Sequence, residues 1–299
     1  MGCSRVPHRP LEHLRIHSVR LPAMRLSYLG PRGTYTEAAA ILYDAAAELT
    51  PHATVASAVA AVRAGAADAA VCALENSIEG SVSIETTDLL LDPATGMRIR
   101  GEVVLPIQHM LVGATGLELA QATAVYSHPN ALGQCRQHLA RLAPKAKPVA
   151  ALSTTAAIEA ALAEPGTLAI GGERAAVIYG AHIYARDIGD ESGNATRFVV
   201  LAQEDHAPTG ADKTSLAFTT AHDRPGSLVE VLQRFASRGI NLTRIESRPT
   251  RRQLGTYIFW LDLQGHRTDP GLADALREVE VIAHWLVVLG SYPRWAAGD

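Results

Sequence analysis

Short apolar runs alternate with alanine-rich stretches through the first two hundred residues of the chain. Strands that alternate with helices predict parallel sheets with helices packed on both faces. We therefore expect an α/β fold for this part of the chain. The predicted strands span residues 25–29, 69–74, 102–113, 122–127, 168–170 and 198–201, and the predicted helices span 36–48, 57–64, 131–142 and 154–163.

The pattern changes after residues 203–212, a polar run that contains both proline and glycine and is typical of a linker. The segments that follow predict the order βαββαβ of a ferredoxin-like domain. We place the domain boundaries at 25–204 for the α/β domain, 205–212 for the linker and 213–293 for the second domain. Its predicted elements are strand 213–220, turn 223–226, helix 227–238, strands 241–248 and 255–263, helix 271–278 and strand 281–289.

Residues 1–24 differ from the rest of the chain. They carry four arginines against one acidic residue, and no apolar stretch follows that would make them a signal peptide. The regular pattern begins only at Arg25. We expect either a disordered extension or a start of translation at Met24.

The composition argues against several classes of function. A net charge of -3 and an aromatic fraction of 5% do not favour a nucleic-acid partner, which needs basic residues and stacking platforms. No apolar run reaches the ~18 residues that a membrane-spanning helix requires. The widely spaced Cys3, Cys72 and Cys135 fit neither a disulfide framework nor a zinc site. We expect a cytoplasmic protein without a metal or membrane partner.

Three polar clusters follow predicted strands, at residues 30–37, 75–82 and 127–135, and a fourth, at 194–198, leads into one. Ligands of open α/β sheets bind where strands end. Thr34 and Glu37 have the spacing of a capping box, so Thr34 is a predicted helix N-cap. His128 is either a general base or a structural turn residue, and Arg197 is suited to clamp a carboxylate. The residues alone predict a polar site for an anionic ligand.

Taken together, the clusters resemble the prephenate dehydratase family. The matching motifs are Gly-Pro-x-Gly-Thr-Tyr-Thr-Glu at 30–37, Glu-Asn-Ser-x-x-Gly at 75–80, Ser-His-Pro-x-Ala-Leu-x-Gln-Cys at 127–135 and Thr-Arg-Phe at 196–198. Residues 224–228 and 246–249 are similar to the phenylalanine-binding ACT module of these enzymes. The resemblance covers residues 25–293.

The resemblance implies a catalytic domain of two α/β lobes, similar to a type-2 periplasmic binding protein, followed by a ferredoxin-like ACT domain. It also implies a carbon–oxygen lyase that converts prephenate to phenylpyruvate, carbon dioxide and water without a cofactor. By resemblance, the catalytic residues are Thr196, Asn76, Ser127 and Gln134. The substrate-binding residues implied by motif are Thr34, Glu75, Ser77, Arg197 and Phe198.

The resemblance further implies feedback by phenylalanine through ACT domains paired across a homodimer or homotetramer. The implied effector-binding residues are Gly226, Ser227, Leu228, Glu246 and Ser247. Ser227 stands where the family usually has alanine, a change that would alter the affinity for phenylalanine. A chorismate mutase domain, which bifunctional relatives carry in front, does not fit into residues 1–24, so we expect a monofunctional enzyme.

Two other functions stay open at this stage. Arogenate dehydratases carry the same motifs and act on a substrate with an amine in place of the keto group. A non-catalytic amino-acid sensor, with a binding-protein-like domain fused to an ACT domain, is the alternative from another class. The sensor predicts loss of the Thr196 or Asn76 side chain, and both are present.

Overall fold

The computed structural model describes residues 23–220, 225–251 and 256–296. The predicted extension at 1–22 and Asp223 and Arg224 of the predicted turn lie outside these residues. The strands are β1 (Arg25–Leu29), β2 (Glu48–His52), β3 (Ala69–Asn76), β4 (Gly80–Ser81), β5 (Arg98–Pro106), β6 (Met110–Gly113), β7 (Ala124–Ser127), β8 (Lys147–Ala150), β9 (Thr167–Gly171), β10 (His182–Ala185), β11 (Ala195–Ala202), β12 (Asp212–Thr220), β13 (Leu242–Pro249), β14 (Tyr257–Gln264) and β15 (Ala283–Pro293). The α-helices are α1 (Tyr35–Tyr43), α2 (Val55–Arg63), α3 (Ile84–Leu91), α4 (Pro129–Gln134), α5 (Arg136–Leu142), α6 (Thr154–Ala163), α7 (Glu173–Tyr179), α8 (Ser227–Ala236) and α9 (Pro270–Ile282).

The first lobe is a sheet in the order β2-β1-β3-β11-β5, with β4 added beside β3. Strands β1, β2 and β3 run parallel, whereas β11 runs antiparallel to β3 and β5. Helix α1 packs on one face of the sheet and α2 on the other. Helix α2 begins at a capping box in which the side chains of Thr54 and Ser57 bind each other's backbone N–H groups.

The second lobe is a sheet in the order β10-β6-β9-β7-β8. Strands β7, β8 and β9 are parallel, and β6 is antiparallel to β9 and β10. The chain passes between the lobes twice, from β5 into β6 and from β10 back into β11. The two-lobed α/β prediction is confirmed. The predicted parallel pairing holds for β1–β3 and β7–β9, but both sheets are mixed, because β6 and β11 enter from the other lobe without a crossover helix.

The C-terminal domain has the predicted order βαββαβ, with a sheet in the order β13-β14-β12-β15. Helices α8 and α9 cover one face, where Phe218, Phe235 and Leu261 are buried. The other face packs against the first lobe, so that Trp260 and Tyr292 join the lobe's own apolar core. This sheet is therefore sandwiched between its own helices and the first lobe.

The backbones of β15 and β5 come close together where the C-terminal sheet packs against the first lobe. Gly290 of β15 lies against Ile99 of β5, and a Cβ at Gly290 would lie 2.2 Å from the Ile99 carbonyl oxygen. Its φ of +152° is also one that residues with side chains rarely adopt. The sequence Leu-Gly-Ser at this point therefore permits the two sheets to meet without a side chain between them.

Some predicted elements differ in extent. The predicted single strand over 102–113 is two strands, because the chain leaves the first lobe after Pro106 and enters the second at Met110. The predicted helix over 131–142 is divided at Cys135 into α4 and α5. Elements without an alanine-rich or strongly β-branched pattern escaped prediction, namely β2, β4, α3, β8, α7 and β10.

A β-bulge in β3 determines which way the polar residues at its end point. Opposite β11, Arg197 pairs with Glu75 while Phe198 pairs with Ala73, so Leu74 is the extra residue. Leu74 belongs to the core beside the C-terminal domain, and after the bulge Glu75 points to that side as well. Asn76 then points to the opposite face. Bulges commonly re-aim side chains in this way beside functional sites.

Candidate active site

The two central residues of the site meet because β11 runs antiparallel to β3. The first residues of β11 therefore lie beside the last residues of β3, and Thr196 pairs with Asn76. Both side chains are buried. The Asn76 Nδ2 donates to Thr196 Oγ1 at 3.0 Å and to Asn194 Oδ1 at 2.7 Å.

The orientation of the Asn76 carboxamide follows from its surroundings. Its Oδ1 accepts the backbone N–H groups of Ile78 and Glu79 at 2.9 and 3.1 Å, so Nδ2 must face Thr196. Thr196 Oγ1 is thus an acceptor towards Asn76. Among the described residues its own proton has no acceptor, so the hydroxyl can donate to a ligand.

The second lobe contributes Gln134, at the end of α4. Its Nε2 donates to Glu79 Oε1 at 3.0 Å. Its Oε1 accepts from Asn194 Nδ2 at 2.9 Å and lies 2.9 Å from His109 Nε2. A continuous hydrogen-bond chain thus joins Thr196 and Asn76 of the first lobe to Gln134 of the second.

His109 closes this chain at the junction between the lobes. Burial lowers the pKa of the imidazole, more than the hydrogen bond to Gln134 raises it. The ring packs edge-on against Tyr35, with 6.1 Å between ring centroids. The Tyr35 hydroxyl donates to the Gln108 carbonyl at 2.7 Å, which ties α1 to the same junction. The side chains nearest Thr196 are therefore neutral donors and acceptors, and the chain ends on the acidic side chain of Glu79.

The turn at residues 30–37 is organised around a buried carboxylate. Thr34 caps α1 by accepting the Glu37 N–H, as predicted. The predicted capping box is not formed, because Glu37 accepts from the Gly33 N–H at 2.7 Å and from Arg174 Nε at 2.9 Å. Burial opposes the charge of Glu37, but the bonds from Arg174 and Gly33 lower its pKa. Glu37 thereby joins the turn to α7 of the second lobe.

Three further predicted residues have contacts within the protein. Ser77 donates to the Gly193 carbonyl at 3.0 Å and accepts the Ala195 N–H, which fastens the loop before β11. Ser127 is fully buried at the end of β7 and donates to the Ile170 carbonyl at 2.9 Å. His128 caps α4 by accepting the Asn130 N–H. These contacts support the turn interpretation of His128 over the general-base one.

The Glu75 and Arg197 side chains lie on the other face of the same two strands, towards the C-terminal domain. Arg197 is buried and forms ion pairs with Glu75, Glu102 and Asp262. Burial disfavours its charge, yet Tyr292 and the surrounding acids raise the pKa of Arg197 well above its ordinary value. We name this group the interdomain ion cluster; its members are Glu75, Glu102, Arg197, Lys213, Arg244 and Asp262.

Phe198, also predicted to contact substrate, is buried in the core between the sheet and α1. The predicted substrate residues thus divide by position: Thr34 and Ser77 form turns at the strand ends, whereas Glu75, Arg197 and Phe198 are engaged in packing or in the interdomain ion cluster.

Metal and thiol chemistry find little support in the described part of the chain. No group of three or more His, Cys, Asp or Glu side chains there could hold a metal ion. Burial raises the pKa of the Cys72 and Cys135 thiols to about 12, so neither is a ready nucleophile. Among the described helices none is long and apolar enough to cross a membrane.

Comparison with known proteins identifies the protein family to which this chain is similar. The sequence pattern of the family described as prephenate dehydratase matches residues 26–206, and that of the ACT domain matches residues 214–281. This chain belongs to the prephenate dehydratase family. The prephenate dehydratase of Mycolicibacterium vanbaalenii is 39% identical over 285 residues, which cover 90% of this chain and 90% of that protein.

Solved structures show the same likeness. The prephenate dehydratase from Arthrobacter aurescens, determined in complex with L-Phe, is 40% identical, covers 90% of each chain and has a TM-score of 0.79. A protein described as a novel type of quorum-quenching acylase, GqqA, is 30% identical with the same TM-score and covers 91% of this chain and 98% of its own. The family fold therefore also accompanies a different stated activity.

In this prephenate dehydratase family member the predicted effector residues lie on two elements of the ACT domain. Gly226, with a φ of +89°, precedes α8, which begins with Ser227 and Leu228. On β13, Glu246 faces the catalytic domain and accepts from Ser81 Oγ at 2.8 Å, whereas Ser247 is exposed. One member of the predicted effector set therefore contacts the catalytic domain directly.

Prediction from sequence missed three residues of the hydrogen-bond chain. Glu79 stands within the second polar cluster but was not assigned to the site. Asn194 stands within the fourth polar cluster but was not assigned to the site. His109 stands inside an apolar run that was interpreted as a strand. Pro106, three residues before it, is the signal that the strand ends there, since proline cannot donate to a sheet.

Proposed function

We propose that the chain converts prephenate to phenylpyruvate, with the Thr196 hydroxyl donating a hydrogen bond to the departing 4-hydroxyl group. One observation carries the assignment. Asn76 donates to Thr196 Oγ1, and the hydroxyl proton has no acceptor among the described residues. The proton is therefore available to a substrate in the cleft between the lobes.

The reaction balances without an oxidant or reductant. The bond between the ring carbon and the 4-hydroxyl breaks with its electron pair on oxygen, and that oxygen gains a proton to become water. The bond to the ring carboxylate breaks as well, its electrons enter the ring, and carbon dioxide leaves. Formation of the aromatic ring drives both cleavages, so the chemistry requires no cofactor.

The protein's task in this proposal is electrostatic. Negative charge grows on the departing oxygen, and a fixed donor in a site sheltered from water stabilises it by roughly 3–4 kcal/mol, by analogy with an oxyanion hole. A threonine hydroxyl is a weak acid, so Thr196 acts as a donor and the proton that completes water comes through the solvent or substrate.

The remaining site residues take supporting roles. Asn76 and Gln134 orient the donors, whereas Thr34, Ser77 and Ser127 shape the strand ends that border the cleft. We propose that Glu75, Arg197 and Phe198 act on the substrate only indirectly, by holding the two strands that carry Asn76 and Thr196.

Regulation belongs to the same proposal. We infer that phenylalanine, present in the related Arthrobacter structure, binds the ACT domain near Gly226, Ser227, Leu228, Glu246 and Ser247 and shifts the enzyme between two states. Val229, Ile245, Tyr257 and Val281 are exposed apolar residues of that domain, which supports its pairing with a second copy in a homodimer or homotetramer. The carbon–oxygen lyase would act in the cytoplasm, where thiols such as Cys72 remain reduced.

The test is a substrate panel with purified wild-type protein. Phenylpyruvate formation from prephenate is measured beside phenylalanine formation from arogenate and beside an acylase assay, each with and without added phenylalanine. Turnover of prephenate that falls with phenylalanine is expected. Preference for arogenate would change the substrate but keep the mechanism. Turnover in the acylase assay alone, or binding without turnover of any substrate, would contradict the proposal.

A further inference from the structure

Two side chains complete the hydrogen-bond chain from the junction between the lobes. His109 lies on the segment that joins β5 to β6, and Asn194 lies just before β11. The two segments run side by side, because Ile107 N–H donates to the Asn194 carbonyl and Ile188 N–H donates to the His109 carbonyl, both at 2.9 Å. Both side chains contact one atom, Gln134 Oε1.

The direction of every bond in this chain is determined at its two ends. Glu79 presents a carboxylate, which only accepts, so Gln134 must turn Nε2 towards it and Oε1 towards the junction. Both neighbours of Oε1 must then donate. Asn194 donates with Nδ2, and this turns its Oδ1 towards Asn76 Nδ2.

At the other end, two backbone N–H groups hold Asn76 Oδ1. Asn194 Oδ1 and Thr196 Oγ1 therefore both accept from Asn76 Nδ2. Rotating the Asn194 carboxamide by half a turn would place its oxygen opposite Gln134 Oε1, so that two acceptors face each other. It would also place its nitrogen opposite Asn76 Nδ2, so that two donors face each other. Because Thr196 Oγ1 accepts from Asn76, its own proton is turned away from Asn76.

We propose that His109 and Asn194 are positioning residues of the reaction, which fix the Gln134 and Asn76 carboxamides and so keep the Thr196 proton directed into the cleft. The inference rests on the proposed function, because it concerns the same reaction. His109 acts through its Nε2–H and Asn194 through both ends of its carboxamide. Neither residue needs to touch the substrate.

The location of the pair has a structural consequence. Gln134 belongs to the second lobe, whereas Asn76 and Thr196 belong to the first. The bonds from His109 and Asn194 to Gln134 form only when α4 lies against the junction. The Thr196 donor is therefore fully aligned only in this arrangement of the two lobes.

The kinetic test uses variants that alter one bond each. Asn194→Asp keeps the acceptor for Asn76 but places an oxygen opposite Gln134 Oε1, and His109→Leu removes the donor. We expect kcat to fall about 10- to 100-fold, as when a reacting group is misplaced by about 1 Å, with KM changed by less than about threefold. His109→Gln restores an N–H at the Nε2 position and should keep kcat within about threefold of wild type.

The matched control is His266→Gln. His266 is a similarly buried histidine whose ring contacts Thr268 and the His206 carbonyl, far along the chain from the site. Its kcat should stay within about twofold of wild type. If His109→Leu fails to fold, Asn194→Asp and His109→Gln still decide the outcome.

A spectroscopic measurement can test the hydrogen bond from His109 to Gln134 independently of enzyme activity. Nitrogen-15 NMR of labelled histidine should show His109 as the neutral tautomer protonated at Nε2. Protonation at Nδ1 alone, or a doubly protonated ring near neutral pH, would overturn the inference. So would a wild type that turns over prephenate while Asn194→Asp and His109→Leu keep their kcat. An inactive wild type would overturn the proposed function and this role with it, and the NMR result would show whether the bonding itself is as described.

Discussion

The two faces of the β3–β11 strand pair differ in kind. On the face towards the second lobe, which we call the cleft face, Asn76 and Thr196 belong to a hydrogen-bond chain whose members nearest Thr196 are neutral. On the reverse face, Glu75 and Arg197, each one residue away, belong to the interdomain ion cluster. The bulge at Leu74 brings both pairs into register. One strand pair thus holds the proposed catalytic residues on one side and the contacts with the ACT domain on the other.

Each face suits its task. A donor that must meet a growing negative charge is best held by groups whose own charge does not change. A buried interface between domains can instead use ion pairs, provided that every charge has a partner. Asp262 illustrates the second case, since it contacts Arg197 and accepts from both Ser215 and Trp260 Nε1.

The largest expected effect comes from removing Arg197. Arg197→Met leaves Glu75, Glu102 and Asp262 without their shared cation, and breaking a buried ion pair costs about 3–5 kcal/mol of unfolding free energy. Chemical denaturation measures the loss. Thr196→Val, one residue away on the cleft face, should cost no more than about 1 kcal/mol. If the two variants lost the same amount of unfolding free energy, the two faces would not differ in their contribution to stability.

Gly290→Ala should have the next largest effect on the interdomain face. The new methyl group would meet the Ile99 backbone, and its φ is unfavourable for alanine, so we expect a loss of about 1–3 kcal/mol. The measurement is again denaturation. Gly271→Ala is the control, because nothing lies within 4 Å of the added Cβ in helix α9. A neutral Gly290→Ala would mean that the domains do not meet there.

Lowering the pH should reduce the stability that the interdomain ion cluster provides. Burial raises the pKa of Asp262, but Arg197 and Arg244 outweigh it, so the folded pKa lies below the ordinary value. A lowered folded pKa means that the stabilisation is complete above the unfolded pKa of about 3.9 and is lost as the pH falls through the folded pKa. The dependence of unfolding free energy on pH below about 4 should therefore be smaller in Asp262→Asn, by up to about 1.4 kcal/mol per pH unit.

Asp274→Asn provides the control for this titration, because Asp274 is half exposed on α9 and outside the interdomain ion cluster. The substitution should change the unfolding free energy by less than about 1 kcal/mol, as expected for an exposed ion pair. If the unfolding free energy of Asp262→Asn depended on pH as steeply as that of wild type, protonation of Asp262 would not be the cause of the loss of stability in acid.

Much of the fold was predictable because its signals are local. The strand–helix alternation, the βαββαβ order and the N-cap at Thr34 each follow from neighbouring residues. The meeting of Asn76 with Thr196 followed from the motifs of the family. The face on which Glu75 lies did not, because it depends on a one-residue bulge against a strand more than a hundred residues away.

The same limit explains the missed residues. His109 is a polar residue in an apolar run, and only the passage of the chain from one lobe to the other brings its ring to Gln134. The partners of Arg197 come partly from the ACT domain, at Asp262 and Tyr292. A guanidinium beside a threonine in a motif suggests a residue that binds a ligand carboxylate. Nothing in the local sequence reveals that acidic side chains from elsewhere in the protein already form ion pairs with this guanidinium.

The most direct test of the central claim is the turnover number of Thr196→Val on prephenate, beside wild type. Thr155→Val is the control, since Thr155 is a fully buried threonine of α6 whose hydroxyl has no hydrogen-bond partner among the described residues. The account predicts a fall in kcat of about 100- to 1000-fold for Thr196→Val in a folded protein, with Thr155→Val close to wild type. A Thr196→Val enzyme that forms phenylpyruvate within about threefold of the wild-type rate would contradict it.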